Sequence, residues 1–218
     1  MAERPSIRIL VTEDHPITRA GLIAVISQHP RLCLVGEAHD GHEAVNLYRL
    51  HKPDIVLMDM RMPQMDGLEA TRAICAEFPS ARIVVFSISD GDETIYQAIK
   101  AGAKAYLLKD APLPLLLETI EAVFAGQTIL PGQIAAKLTG RLLLRDLSAQ
   151  EHEILEHIVA GKSNREIGSA LFISEGTVKS HVNTILHKLQ VTDRTQAAVT
   201  ALQRGIVWEP RKDRSDTV

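Results

Sequence analysis

The chain has 218 residues, 45% of them hydrophobic, with 24 Lys and Arg against 27 Asp and Glu for a formal net charge of −3. That length fits one or two domains, and that apolar content excludes global disorder. No uncharged apolar run of about 18 residues occurs, and Met1-Ala2-Glu3-Arg4-Pro5 lacks a signal-peptide apolar region, so neither a membrane span nor a secretory leader is expected.

In chain order, residues 7–11, 32–36, 55–58, 82–86 and 105–108 are short apolar runs that read as strands. Helical patterns lie between and after them, at about 16–28, 41–51, 67–78, 93–101 and 112–125. A (βα)5 order predicts an α/β unit with a five-stranded parallel sheet, doubly wound and covered on both faces. Near Gly126 the strand signal stops. Thr128 to Arg145 contains Pro131-Gly132 and Gly140 and reads as a linker with a short helix around Gln133–Leu138. From Leu147 the pattern is all helical, with helices at about 150–160, 164–171, 175–189 and 193–204. Ser148-Ala149-Gln150-Glu151 has the form of a capping box, in which Ser148 caps and Glu151 reaches back. The organisation expected is therefore 1–126, a linker at 127–146, a four-helix unit at 147–208 and a loose tail at 209–218.

Residues 1–128 carry 12 Lys and Arg against 17 Asp and Glu, a net of −5, whereas residues 129–218 carry 12 against 10, a net of +2. The two halves should meet different partners. The basic excess is too small to establish nucleic-acid binding by itself. Cys33 and Cys75, in a strand and a helix without metal-ligand spacing, read as reduced core residues of a cytosolic protein. His15, His29, His39, His42, His51, His152 and His157 show no ligand arrangement and read as surface or capping residues.

In a parallel α/β sheet the site lies at the carboxyl ends of the strands. Here those ends are Glu13-Asp14, Asp59, Ser87 and Lys109. A carboxylate such as Asp59 is a competent phosphoryl acceptor, provided the charge of the incoming group is neutralised. Mg²⁺ suits the task, because it takes oxygen ligands and keeps several waters. Asp14 and Asp59 are its expected ligands, with Glu13 bound directly or through water. Lys109 is expected to pair with phosphoryl oxygens and Ser87 to donate to them. Each residue alone has an ordinary structural explanation; their order on strands one, three, four and five carries the functional one.

These residues resemble the receiver domain of two-component response regulators over residues 5–126. The matching stretches are Val11-Thr12-Glu13-Asp14-His15-Pro16, Asp54 through Gly67, Val84-Val85-Phe86-Ser87 and Lys104 through Asp110. The resemblance implies a flavodoxin-like fold in which Asp59 takes phosphate from the phosphohistidine of a sensor histidine kinase. It implies Mg²⁺ held by Glu13, Asp14, Asp59 and the backbone carbonyl of Arg61. It gives Ser87 a phosphoryl contact and Tyr106 a rotamer change that accompanies it. Glu13 stands where many members have Asp, and its longer side chain changes the metal contact.

In the second half, Ile167 and Leu171 line one helix, and Val178, Val182, Ile185 and Leu189 recur at helical spacing on the next. The opposite face carries Lys179, Ser180, Asn183 and His187, which suit phosphates and base edges. Ser174 is placed to cap that helix and direct N–H groups at a phosphate. Periodicity alone is equally met by a plain helical bundle. Residues 147–204 resemble a LuxR-type helix-turn-helix, through Leu147–Glu151, Gly161–Ile167 and Ile173–Val182. Together the two halves are similar to the NarL/FixJ family of response regulators. The resemblance implies that Lys179, Ser180 and Asn183 face base edges of a double-stranded DNA operator, with Thr177 and His181 near the backbone. It also implies a homodimer when active, formed through the helix at about Thr195–Arg204, with RNA polymerase as a further partner. The function expected is a cytoplasmic, phosphorylation-switched transcription regulator that is not an enzyme. Three alternatives stay open on residues alone. They are a phosphorylation-independent DNA binder with a vestigial receiver, an aspartyl-phosphate hydrolase and a flavodoxin-like cofactor binder; the acidic strand ends disfavour the last.

Overall fold

The computed structural model describes residues 6–207. The tail expected at 209–218 lies outside them. The first part runs β1 (Ile7–Thr12), α1 (Pro16–Gln28), β2 (Leu32–Ala38), α2 (Gly41–His51), β3 (Ile55–Met58), α3 (Gly67–Glu77), β4 (Ile83–Ser87), α4 (Asp92–Ala101), β5 (Ala105–Leu108) and α5 (Leu113–Phe124). The second continues with α6 (Gly132–Leu142), α7 (Ala149–Val159), α8 (Asn164–Leu171), α9 (Glu175–Leu189) and α10 (Arg194–Gln203). The chain divides into two compact units. One holds the residues up to Asp90 with Ile95–Ala136; the other holds Gly91–Thr94 with the residues from Lys137 onward.

The five strands form one parallel sheet in the order β2-β1-β3-β4-β5. Parallel strands need crossover helices, and these cover both faces. Strand alternation sorts the side chains. Ile7, Ile9 and Val11 of β1 join Ile55, Leu57, Val84 and Phe86 under Leu22 and Ile26 of α1 and Leu116, Ile120 and Val123 of α5. Leu10, Val56, Met58 and Ile83 face the other way, onto Ala44, Val45 and Tyr48 of α2 and Ala70 and Ile74 of α3. A residue two-fold periodicity with both faces apolar is the signature of a strand buried on both sides.

Three sequence expectations are corrected. Cys33 is exposed, not a core residue; it lies on β2, the edge strand of the sheet. Ser87 closes the fourth strand as expected, but β4 spans Ile83–Ser87 rather than 82–86, so Ser87 is its last residue and is fully buried. The short helix expected at 133–138 is longer, Gly132–Leu142. Ile134 is buried at its start, and Gly140 is tolerated inside it at the usual modest cost of glycine in a helix. Just before it, Ile129 makes a parallel bridge to Ala105 and donates its amide to the Lys104 carbonyl, 2.8 Å away.

In the second unit α7 to α10 enclose Ile154, Leu155, Ile158, Ile167, Val178, Val182, Ile185, Leu189, Ala197 and Ala201. Each helix start is defined by side chain. Ser148 and Glu151 form the expected capping box on α7, and Ser163 and Glu166 form another on α8. Ser174 caps α9 and Asp193 caps α10.

Candidate functional site

The carboxyl ends of β1, β3, β4 and β5 bring Glu13, Asp14, Asp59, Ser87 and Lys109 together. Asp59 follows β3 directly. Its amide donates to the Thr12 carbonyl at 2.9 Å, which continues the parallel pairing one residue past the strand. Lys109 Nζ lies 3.0 Å from Asp59 Oδ2 and 2.6 Å from Glu13 Oε2. The side chains of Glu13 and Asp59 are only 1% and 3% exposed, and that of Lys109 is 15% exposed. Two buried anions share one half-buried cation. Apart from that ion pair, Glu13 Oε2 has no hydrogen-bond donor. Burial raises the Asp59 carboxyl to about 6, with the Glu13 charge adding to it; the Lys109 ammonium opposes the rise without cancelling it.

One oxygen from each of Glu13, Asp14 and Asp59 lies within 4.8 Å of the others. A hard cation with oxygen ligands fits such a set, and an otherwise unsatisfied buried oxygen on Glu13 suits it further. Among the described residues no other group of three or more His, Cys, Asp or Glu has this arrangement, so the histidines set aside above stay outside it.

The remaining residues are placed as follows. Asp59 Oδ1 accepts the Arg61 amide at 3.3 Å. Ser87 Oγ accepts the Ser89 amide at 3.1 Å. Tyr106 is fully buried, its hydroxyl donating to the Ser89 carbonyl at 2.8 Å, and burial pushes its phenol up. Sequence reasoning missed three supports. Thr12 Oγ1 donates to the Leu57 carbonyl at 2.7 Å and holds β1 to β3 beneath the acids. Arg19 Nη1 donates to the Glu13 carbonyl at 2.9 Å. Gly67 sits so close to the acid that a Cβ on it would lie 1.9 Å from the Asp59 carbonyl oxygen, so no side chain fits there. Of these only Gly67 had a signal, as a glycine at a helix start shortly after Asp59.

In the second unit, α8 and α9 form the helix-turn-helix. Val178, Val182, Ile185 and Leu189 are buried. Thr177, Lys179, Ser180 and Asn183 are exposed, and His181 is half-buried. The Ser174 hydroxyl accepts the Thr177 amide at 3.1 Å and lies 2.8 Å from the Thr177 hydroxyl, so both Thr177 groups serve the cap. Lys188 is committed elsewhere, to Glu151 Oε2 at 2.6 Å and the Asp146 carbonyl at 3.0 Å. The exposed polar face of α9 runs from Thr177 through Lys179, Ser180 and Asn183 to His187, which is exposed as well.

Family comparison agrees with this division. Residues 9–121 match the response regulator receiver domain, and residues 145–201 match the bacterial regulatory proteins of the luxR family. A doubly wound receiver and a LuxR-type helix-turn-helix in one chain define a two-component response regulator that controls transcription. The chain belongs to the NarL/FixJ family of these regulators. It is 41% identical over 209 residues to the transcriptional regulatory protein LiaR of Bacillus subtilis (strain 168), covering 92% of this chain and 99% of that one. It is 37% identical to the crystal structure of ChrA, a response regulator of a heme-sensing two-component system, with a TM-score of 0.56 over 94% of this chain and all of that one. RcsB from Salmonella enterica serovar Typhimurium, solved on promoter DNA, shares the fold at 22% identity, with a TM-score of 0.70 over 91% of this chain and 98% of that one. No helix among the described residues is long and apolar enough to cross a membrane.

Proposed function

We propose that Asp59 is the phosphoacceptor and that its phosphorylation by a sensor histidine kinase controls binding of a DNA operator by α9. The observation that carries this reading is the shared Lys109 ammonium between Asp59 and Glu13. An Asp59 oxygen attacks phosphorus of the phosphohistidine; the new P–O bond forms as the P–N bond breaks and the imidazole leaves with the electron pair. Mg²⁺, when held by Glu13, Asp14, Asp59 and the Arg61 carbonyl, neutralises charge on the phosphoryl oxygens. Lys109 supplies a fixed cation to the same oxygens, and Ser87 a hydroxyl. Burial of this cluster excludes water and strengthens each of these interactions. Tyr106, behind Ser87, is the residue that repacks when Ser87 turns to the phosphoryl group.

On the DNA side, Lys179, Ser180 and Asn183 read base edges, and Thr177 and His181 stand near the backbone. Asn suits adenine, and Lys suits guanine or phosphate. The active form is a homodimer joined through α10, RNA polymerase is its further partner, and the chain works in the cytoplasm as a regulator rather than an enzyme. The test is incubation with Mg²⁺ and a small phosphodonor, followed by intact-mass measurement. The parent should gain one base-labile phosphate and Asp59→Asn none. Equal labelling of both would remove Asp59 as acceptor.

A further inference from the structure

Phe172 ends α8 in the left-handed region, at φ 57°, with its amide donating to the Gly168 carbonyl. Glycine or asparagine suits that backbone; a bulky aromatic residue is disfavoured there. The turn owes its tightness to Gly168, where a Cβ would lie 2.7 Å from the Ile173 carbonyl oxygen. Leu171 and Ile173 fold inward onto the core of this unit. Phe172, between them, is thrown outward and is 95% exposed. The chain thus puts a phenyl ring where the backbone asks for glycine, and nothing in the fold packs on it. Strain that the fold does not repay points to a partner.

The ring's position says which partner. Ser174, two residues on, caps α9, and the exposed Thr177, Lys179 and Ser180 follow it. In a helix-turn-helix the N-terminal residues of the second helix enter the major groove. A ring just ahead of that end stands at the groove edge. Exposed Glu175 follows three residues on in the chain, a charge that disfavours phosphate there. The apolar chemistry within reach in a duplex is the thymine methyl group or the face of a deoxyribose. We infer that Phe172 is a DNA-contacting residue, its ring packing on an apolar edge of duplex DNA beside the first turn of α9. This rests on the reading of α9 as the DNA-reading helix.

The experiment uses the full chain, treated with Mg²⁺ and a small phosphodonor, and a labelled duplex selected by the parent from random DNA. Phe172→Gly and Phe172→Asn should each weaken binding by about fivefold, a plausible size for one apolar contact. The slope of log affinity against log salt should stay that of the parent, because an apolar contact releases no counterion. The thermal midpoint of the free variants should equal or exceed that of the parent, and Phe172→Tyr should restore affinity. A duplex with uracil for thymine separates the two sources. If the methyl is the contact, the parent falls to the variants' affinity; if deoxyribose is, the gap persists. Unchanged affinity in both variants would overturn the inference, as would a reduced salt slope, or a lowered midpoint showing that the fold itself needs the ring. If the parent retains no duplex at all, the DNA reading fails and takes this inference with it.

Discussion

The acid cluster of the first unit and the polar face of α9 use charge in opposite ways. Glu13 and Asp59 are almost wholly buried around one ammonium, so each charge there is felt by the others and by the fold. Lys179, Ser180 and Asn183 stand in solvent, largely independent of one another and of the core behind them. Buried charge is expensive unless matched, and removing one partner exposes the cost. Exposed charge is nearly free until a partner arrives, and is then screened by salt. Substitutions in the first region should therefore register in stability and pH dependence, and those in the second in affinity and salt dependence.

The largest effect is expected from Lys109→Met. It leaves two buried carboxylates with no cation, and metal-free protein at pH 8 should lose about 3–5 kcal/mol of stability by urea unfolding. A loss below about 1 kcal/mol would show that water, not Lys109, compensates those acids. Next is Asp59→Asn in the presence of a chelator. The folded-state pKa of Asp59 is about 6 against an ordinary 3.8, so its neutral form is favoured in the fold. Its favourable contribution is complete below the ordinary value and is lost as pH rises through about 6. The asparagine variant should therefore be more stable than the parent above that pH, by on the order of 2–3 kcal/mol, and no more stable near pH 3.5. Thermal unfolding across that range checks it; a constant difference at all pH values would contradict the assignment.

Lys179→Ala tests the other side of the comparison. It should weaken operator binding by about 1–3 kcal/mol if it reads a base. If it holds phosphate, the loss should be similar on all sequences, with the salt slope lower by about 0.9. Its thermal stability should match the parent's. The smallest effect is expected from Ser148→Ala, which removes the side-chain half of the α7 capping box and should cost about 1 kcal/mol of stability in the second unit.

The same contrast explains what was legible in the sequence. Strands buried on both faces appear as unbroken apolar runs, so Asp59 and Lys109 at their ends stood out at once. Amphipathic α9 announced its polar face through the spacing of Val178, Val182 and Ile185. Thr12 gave no such signal, since a threonine in a strand is ordinary and its bond to the Leu57 carbonyl depends on which strands are neighbours. Cys33 was misread as well, and the edge position of β2 is likewise a property of strand order, not of the run Leu32-Cys33-Leu34. The tightness of Gly67 against Asp59 requires the loop between β3 and α3 to close on itself, which spacing does not reveal. The contact between the Thr177 and Ser174 hydroxyls at the start of α9 is likewise visible only in three dimensions.

The parallel pairing of the sheet also bears on how the chain comes to be folded. No strand of the sheet is joined to a neighbour by a hairpin, and β1 meets β3 only after β2 and two helices have been made. The Arg8 amide finds its Asp54 acceptor across 46 residues of chain. Such distant closures must precede any gain from the sheet, which makes this topology slow to form and exposes apolar strand edges meanwhile. The helices α7–α10 make their backbone hydrogen bonds locally and should form sooner, although α7 meets the end of α10 only across 54 residues, from His152 to the Ile206 carbonyl. On a ribosome the order of synthesis runs the other way, so the slower unit has the head start. Refolding from denaturant removes that head start. The two units should then reach their native signals at different times, the helical one first.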